Sequence, residues 1–347
     1  MEEVNGKKTF KILSIDGGGI KGLYPASILR KFEEKFNCLT SDHFDMICGT
    51  STGGLIALAI ASHIPAKDIC RFYEERGEII FPKHRLKLPF FGRTDLFFLK
   101  QLLFWGKYSD KGLKKALFEI FGENKIKDSN NLLCIPSYSI TKAQPRVFKY
   151  DHKEGKLSTD NNLSMVDVAL ATSAAPTYFP IANIANLHNE QFIDGGVWAN
   201  NPTLVGLLEA INHFVGKDEK KEYDKIQILS LSSLSITEGK PPGIRRNRSF
   251  VGWKSDLFNT TFTGQSFFSD FFMTKIKEIG DIKIDYIRIP SEKLSREHES
   301  FIQLDVANIH SYELMKIKAD HQAALFEKEA KIIELFTKKK TYTINHG

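Results

Sequence analysis

TFKILSIDGGGIKG at residues 9–22 and FDMICGTSTGGLIALAIAS at residues 44–62 share one plan: an apolar run, a glycine turn, then a helix. Residues 9–15 read as a short strand rich in Ile, Leu and Phe, stopping at Asp16-Gly17-Gly18-Gly19. Leu23, Ala26, Leu29, Phe32 and Phe36 then recur at near-helical spacing with polar residues between them. Residues 44–48 form a second apolar run ending at Gly49, and residues 55–62 read as a buried helix. Strand, helix, strand, helix predicts a mostly parallel sheet with helices on both faces.

The alternation continues outward. Residues 67–80 are amphipathic through Ile69, Phe72, Tyr73 and Ile79, and residues 111–121 form a helix behind a Ser109-Asp110 cap. Residues 132–139 and 146–150 read as strands, and a helix opened by Ser164 runs through residues 169–175 to Pro176. A short strand at 191–193 feeds Asp194-Gly195-Gly196, followed by a helix from 202 to about 214. Residues 225–231 and 285–289 give two further strands, and 312–336 an amphipathic terminal helix. With no internal repeat or low-complexity linker, residues 1–347 are expected to make a single domain, its part from 236 to 347 the least defined.

Two aromatic and basic stretches, 81–108 and 244–273, break the rhythm. One reading is a lid or lipid-facing surface, with Phe and Trp toward acyl chains and Lys and Arg toward head groups. The other is core aromatics with solvated charges, which the i, i+4 pairs Phe267/Phe271 and Phe268/Phe272 suit equally.

Composition narrows the function classes. At 347 residues, 42% hydrophobic and 26% charged, the chain has the make-up of a globular protein with a sizeable core. Its 27 Phe imply a large core, an apolar substrate site or a surface that meets lipid. The net charge of +6 is spread along the chain, which eases the approach of anions. It forms no arginine-rich arm, so no nucleic-acid polymer is expected as a partner. The four cysteines, Cys38, Cys48, Cys70 and Cys134, contain no C-x-x-C and suit a reducing cytoplasm. No secretory signal opens the sequence and no apolar run approaches about 18 residues, so membrane contact would be peripheral. Nothing in the sequence sets an oligomeric state.

Gly49-Thr50-Ser51-Thr52-Gly53 fits the G-x-S-x-G nucleophile elbow, in which a strained turn lifts the serine hydroxyl clear of the sheet. The turn also aims the Thr52 amide and a helix N-terminus at a developing oxyanion. By itself the pattern also fits a glycine-rich turn with no catalysis. Residues 17–22 fit G-x-G-x-x-G, so a nucleotide-binding oxidoreductase is an alternative. Against it, Asp16 adjoins the first glycine and the next strand offers no carboxylate to a ribose. Better suited is an oxyanion hole of Gly17, Gly18 and Gly19 amides facing Ser51, each such donor worth about 3–4 kcal/mol in the transition state. Lys21 opposes the helix dipole and calls for a negative partner, either a carboxylate such as Asp16 or a substrate phosphate.

A base for Ser51 is the remaining need. None of the ten histidines lies in a motif. Asp194, ending a strand and followed by two glycines, can approach another backbone closely, and partial burial would tune it. Alone, Asp-Gly-Gly is also a tight-turn signal.

In this order, residues 16–22 (DGGGIKG), 49–53 (GTSTG) and 194–196 (DGG), with 171–180 (ATSAAPTYFP), resemble the patatin-like phospholipase family over roughly residues 9–215. The resemblance implies a three-layer α/β/α fold and a Ser–Asp dyad without a catalytic histidine. It also implies hydrolysis of acyl esters of glycerophospholipids or galactolipids that needs no metal or cofactor. Carried over, Ser51 is the nucleophile, Asp194 the base, Gly17, Gly18 and Gly19 the oxyanion donors, and Lys21 the basic position, with a point charge where the family also uses Arg. A non-catalytic lipid-binding module on the same fold is the other alternative. The chain is also similar to bacterial patatin-like effectors of cyclic-nucleotide antiphage systems, which implies a regulatory small ligand.

Overall fold

The computed structural model describes residues 8–82, 85–88, 92–95, 107–217, 221–236 and 256–344, with 238–240, 242–244, 246–247 and 253 between the last two. The reading of residues 81–108 as a lid falls for the most part outside them.

β1 (Lys8–Ile15) passes through a 3₁₀ turn, Gly19–Gly22, into α1 (Leu23–Phe36). β2 (Met46–Gly49) leads into α2 (Thr52–Ala61), and α3 (Ala66–Ile80) follows. β3 (Arg85–Leu88) and β4 (Gly92–Asp95) make their own two-stranded sheet. Next come α4 (Asp110–Phe121), β5 (Leu132–Ser139), β6 (Gln144–Lys149) and α5 (Met165–Ser173). β7 (Ala182–Ile184), β8 (Glu190–Asp194), α6 (Gly196–Ala199) and α7 (Thr203–His213) lead to β9 (Tyr223–Leu231). α8 (Asp256–Lys275), β10 (Glu278–Ile279), β11 (Ile282–Ile289), α9 (Ile309–Phe326) and α10 (Ala330–Thr337) complete the chain.

The main sheet runs β10-β11-β9-β1-β2-β5-β8-β7, with β6 also paired to β5. β11, β9, β1, β2 and β5 are mutually parallel, the arrangement that strand–helix alternation predicts. Helices cover this central sheet, and Phe10, Ile12, Leu13 and Ile15 of β1 are fully buried, as a strand enclosed on both faces requires. Among the described residues no helix is long and apolar enough to cross a membrane.

β5 brings distant parts of the chain together. Cys134 pairs with Cys48 of β2 and with Lys149 of β6, so these two strands lie on opposite edges of β5. Farther along, Ser137, Tyr138 and Ser139 pair with β6 and, on the other edge, with Asp194, Ile193 and Phe192 of β8. β2 and β8 therefore share one edge end to end. One is parallel to β5 and the other antiparallel, so their C-terminal ends meet.

At the C-terminus the structure departs from the sequence reading. The expected helix over 312–336 is broken, since α9 ends at Phe326 and α10 starts at Ala330, across Glu327-Lys328-Glu329. Turning there lets Phe336 stack on Phe36 and meet Phe32 and Phe44, which a straight continuation could not do.

Candidate active site

Ser51 sits on the turn between β2 and α2 with φ 54° and ψ −125°, a strained conformation for a residue with a side chain. The flanking glycines are needed for space: a Cβ on Gly49 would lie 2.0 Å from the Gly53 carbonyl oxygen, and one on Gly53 would lie 2.3 Å from that of Ile15. Thr50 Oγ1 donates to the Ala199 carbonyl at 2.6 Å, and the Ser51 amide donates to Thr172 Oγ1 at 3.0 Å. Thr172 Oγ1 in turn donates to the Pro136 carbonyl at 2.6 Å, so α5 and β5 hold the elbow in place.

The meeting of β2 and β8 delivers Asp194 to this serine. Ser51 Oγ donates to Asp194 Oδ2 at 2.7 Å, and the Gly196 amide donates to Oδ1 at 2.7 Å. Gly195 allows the approach, because a Cβ there would lie 2.2 Å from the Pro136 carbonyl oxygen. Burial pushes the Asp194 carboxyl from 3.8 up to about 6, against the opposing pull of the Ser51 and Gly196 hydrogen bonds.

Ser51, Asp194 and Gly19 line an apolar slot of about 60 Å³ walled by Leu55, Phe72 and Phe262. Among the described residues no histidine lines this slot. His213 lies beside His152 and Glu209, and His310 beside Phe301. Among the described residues no three His, Cys, Asp or Glu side chains gather as metal donors would.

Residues 13–207 match the Patatin family profile, described as patatin-like phospholipase. The chain belongs to the patatin-like phospholipase family. It is 30% identical over 324 residues to a "cGAMP-activated phospholipase" of Pseudomonas aeruginosa, covering 92% of this chain and 90% of that protein. A second relative of that name, from Escherichia coli strain TW11681, is 28% identical over 335 residues, covering 91% of this chain and 89% of the relative. "Patatin-like protein 1" of Oryza sativa subsp. indica is 33% identical over 255 residues, covering 65% of this chain but only 59% of the plant protein. As a patatin-like phospholipase the chain is a lipid acyl hydrolase.

The glycine loop of this patatin-like phospholipase is built to tight tolerances. Gly19 has φ +60°, and a Cβ on it would lie 2.1 Å from the Leu304 carbonyl oxygen. One on Gly18 would lie 2.6 Å from Ser233 Cβ. Gly17 departs from the reading that made all three glycines oxyanion donors, because its amide is engaged with the Asn200 carbonyl at 3.0 Å. The Gly18 and Gly19 amides have no acceptor among the described residues. Thr52, at the start of α2, has no intrahelical acceptor for its amide.

Asp16 and Lys21 do not pair with each other. Asp16 is buried and takes a bidentate contact from Arg288 of β11, Nη1 to Oδ1 at 2.8 Å and Nη2 to Oδ2 at 2.6 Å. Burial pushes the Asp16 carboxyl up and Arg288 opposes that. Lys21 is buried with no partner among the described residues, and burial lowers its ammonium to about 8. It lines a small polar cavity with Asp16, Ser232, Ser233 and Arg288. Sequence reasoning missed the parts played by Thr172, Asn200 and Arg288. The last two have little local signal, and for Arg288 it is only a cation inside an otherwise apolar strand end.

Proposed function

We propose that this chain releases fatty acids from membrane phospholipids with Ser51 as nucleophile and Asp194 as general base, and that a cyclic dinucleotide controls when it does so. The observation that carries the chemistry is the 2.7 Å bond from Ser51 Oγ to Asp194 Oδ2 inside an apolar slot that no histidine lines among the described residues. Ionised Asp194 takes the hydroxyl proton as Ser51 Oγ attacks the ester carbonyl carbon. The oxyanion that forms meets the Gly18, Gly19 and Thr52 amides. The tetrahedral intermediate collapses, and the leaving alkoxide departs as an alcohol with the proton held by Asp194. Water then attacks the acyl-serine, giving its proton to Asp194 and releasing the fatty acid. The proton returns to Ser51 Oγ.

The apolar wall of Leu55, Phe72 and Phe262 suits an acyl chain. Lys21, a buried cation in a polar cavity of serines, suits the lipid phosphate. The cyclic-dinucleotide control rests on the Pseudomonas aeruginosa relative, whose likeness extends over 92% of this chain. With the effector-like sequence, it supports a role in antiphage defence. A single assay tests both parts: fatty-acid release from phospholipid vesicles by wild type and Ser51→Ala, with and without cGAMP. Wild type is expected to release fatty acid at least about tenfold faster with cGAMP, and Ser51→Ala to release none above background. An active Ser51→Ala protein sinks the nucleophile, and equal wild-type rates in both conditions sink the nucleotide control.

A further inference from the structure

α8 lies beyond the family match, and its outer side has no task in the chemistry above. The inner side of the helix carries Phe262, Ser269 and Met273, its buried residues. Phe262 reaches the slot that holds Ser51 and Asp194. Gln265 Nε2 donates to the Val197 carbonyl at 2.7 Å, and Gln265 Oε1 accepts from the Asn200 amide at 3.1 Å. Asn200 Nδ2 donates to Ser266 Oγ at 2.9 Å. The helix is thereby pinned over the segment that follows Asp194.

At about 100° per residue the opposite side carries Leu257, Gly264, Phe267, Phe271 and Lys275, with Phe268 beside it and Thr261 and Phe272 toward the flank. All are exposed, Phe267 by 70%, Phe268 by 61% and Phe271 by 53%. The i, i+4 aromatic pairs therefore lie on the surface instead of in the core, Phe268 and Phe272 tilted against each other with centroids 6.4 Å apart. A contiguous aromatic face left in water marks an interaction surface.

Charge and size select the occupant. The two carboxylates of the helix lie off this face, Asp256 bonded to Lys240 and Asp270 accepting from Tyr286 at 2.9 Å. A cation lies on it, Lys275 5.6 Å from the Phe271 ring centre, while beyond the helix end the exposed Lys277 and Glu278 balance. An apolar stripe that carries a lysine, with both helix carboxylates engaged elsewhere, matches an anionic lipid interface. A second copy is a poorer fit. A helix of this length offers a face roughly 30 Å by 10 Å, well below the ~800 Å² per partner of a stable interface.

We propose that the outer face of α8 docks the protein on an anionic phospholipid bilayer. Resting on the phospholipase reading, the consequence is that docking brings the Ser51 slot to its substrate. The test is co-sedimentation with phosphatidylglycerol–phosphatidylcholine vesicles in a Ser51→Ala background, so that no lipid is consumed. Phe267→Ser, Phe268→Ser and Phe271→Ser combined are expected to weaken partitioning at least about tenfold. With Ser51 restored, the triple variant should hydrolyse a monomeric short-chain ester at the wild-type rate, which also certifies its fold, while vesicle hydrolysis falls with binding. Partitioning unchanged by the substitutions overturns the proposal. So does a lipid-free wild-type dimer that the substitutions turn into a monomer, since a second copy would then cover the face. Vesicle binding that depends on these phenylalanines stands even where no lipid is hydrolysed, so failure of the phospholipase reading shows separately.

Discussion

Asp194 receives two hydrogen bonds, from the Ser51 hydroxyl and the Gly196 amide, yet burial still lifts its carboxyl from 3.8 to about 6. This ties catalysis and stability to the same proton. The folded state holds that proton at pH values where the unfolded chain has released it. The stabilising contribution is therefore complete below the unfolded value of 3.8 and is lost as pH rises through about 6. Above that, the buried carboxylate costs on the order of 3 kcal/mol. Asp194→Asn keeps an acceptor for Ser51 without the charge. It is expected to melt at higher temperature than wild type near pH 8, with the advantage gone by about pH 4, and to hydrolyse nothing. Thermal unfolding across pH reads the first part, and an Asn variant no more stable than wild type at pH 8 would show that Asp194 is not a strained base. The wild-type kcat/KM is expected to rise with pH through about 6 as the carboxylate forms.

The elements around the nucleophile were legible in sequence because each is dictated locally. β1 and β2 are covered on both faces and so read as short runs rich in apolar residues, and Gly49 and Gly53 meet backbone at distances no side chain tolerates. Strand pairing is not local. That β2 and β8 meet head to head along β5 depends on pairing between residues far apart in sequence, for which Gly49 and Asp194 carry no mark. Periodicity has the same limit in α8, since Phe267 and Phe271 share a face by spacing alone, whatever covers that face. β11 is the clearest case of a missed contribution, because Arg288 compensates Asp16 directly before the glycine loop. Arg288→Ala would leave a buried, unpaired carboxylate, and is expected to cost about 3–5 kcal/mol in a urea titration. Asp16→Asn added to Arg288→Ala should recover part of that loss, because no uncompensated charge then remains. A double variant as unstable as the sum of the two single ones would show that the pair acts independently.

Across the whole molecule, residues 336–342 close over residues 11–45. Asp45, just ahead of β2, accepts from the amides of Lys11, Thr341 and Tyr342 at 2.7–2.8 Å, and Lys340 donates its amide to Asp42. Phe336, fully buried, packs among Phe32, Phe36 and Phe44. These ties gather near the start of β2, whereas Ser51 and Asp16 follow the C-terminal ends of β2 and β1. Stability from the chain ends and chemistry at the nucleophile are thus placed apart. If residues 8–344 form one cooperative unit, as we propose, Phe336→Ala must weaken all of it, although it lies beyond the family match at 13–207. Removing a buried phenylalanine from an aromatic cluster is expected to cost about 3–5 kcal/mol. The urea midpoint should fall in one transition, coincident by fluorescence and circular dichroism, with the hydrolysis rate per folded molecule unchanged. Two separated transitions, with the earlier one leaving hydrolysis intact, would mean that the C-terminal part folds as a unit of its own. Both the contacts of Asp45 and the aromatic cluster argue against that outcome, because each joins residues 336–342 to residues 11–45.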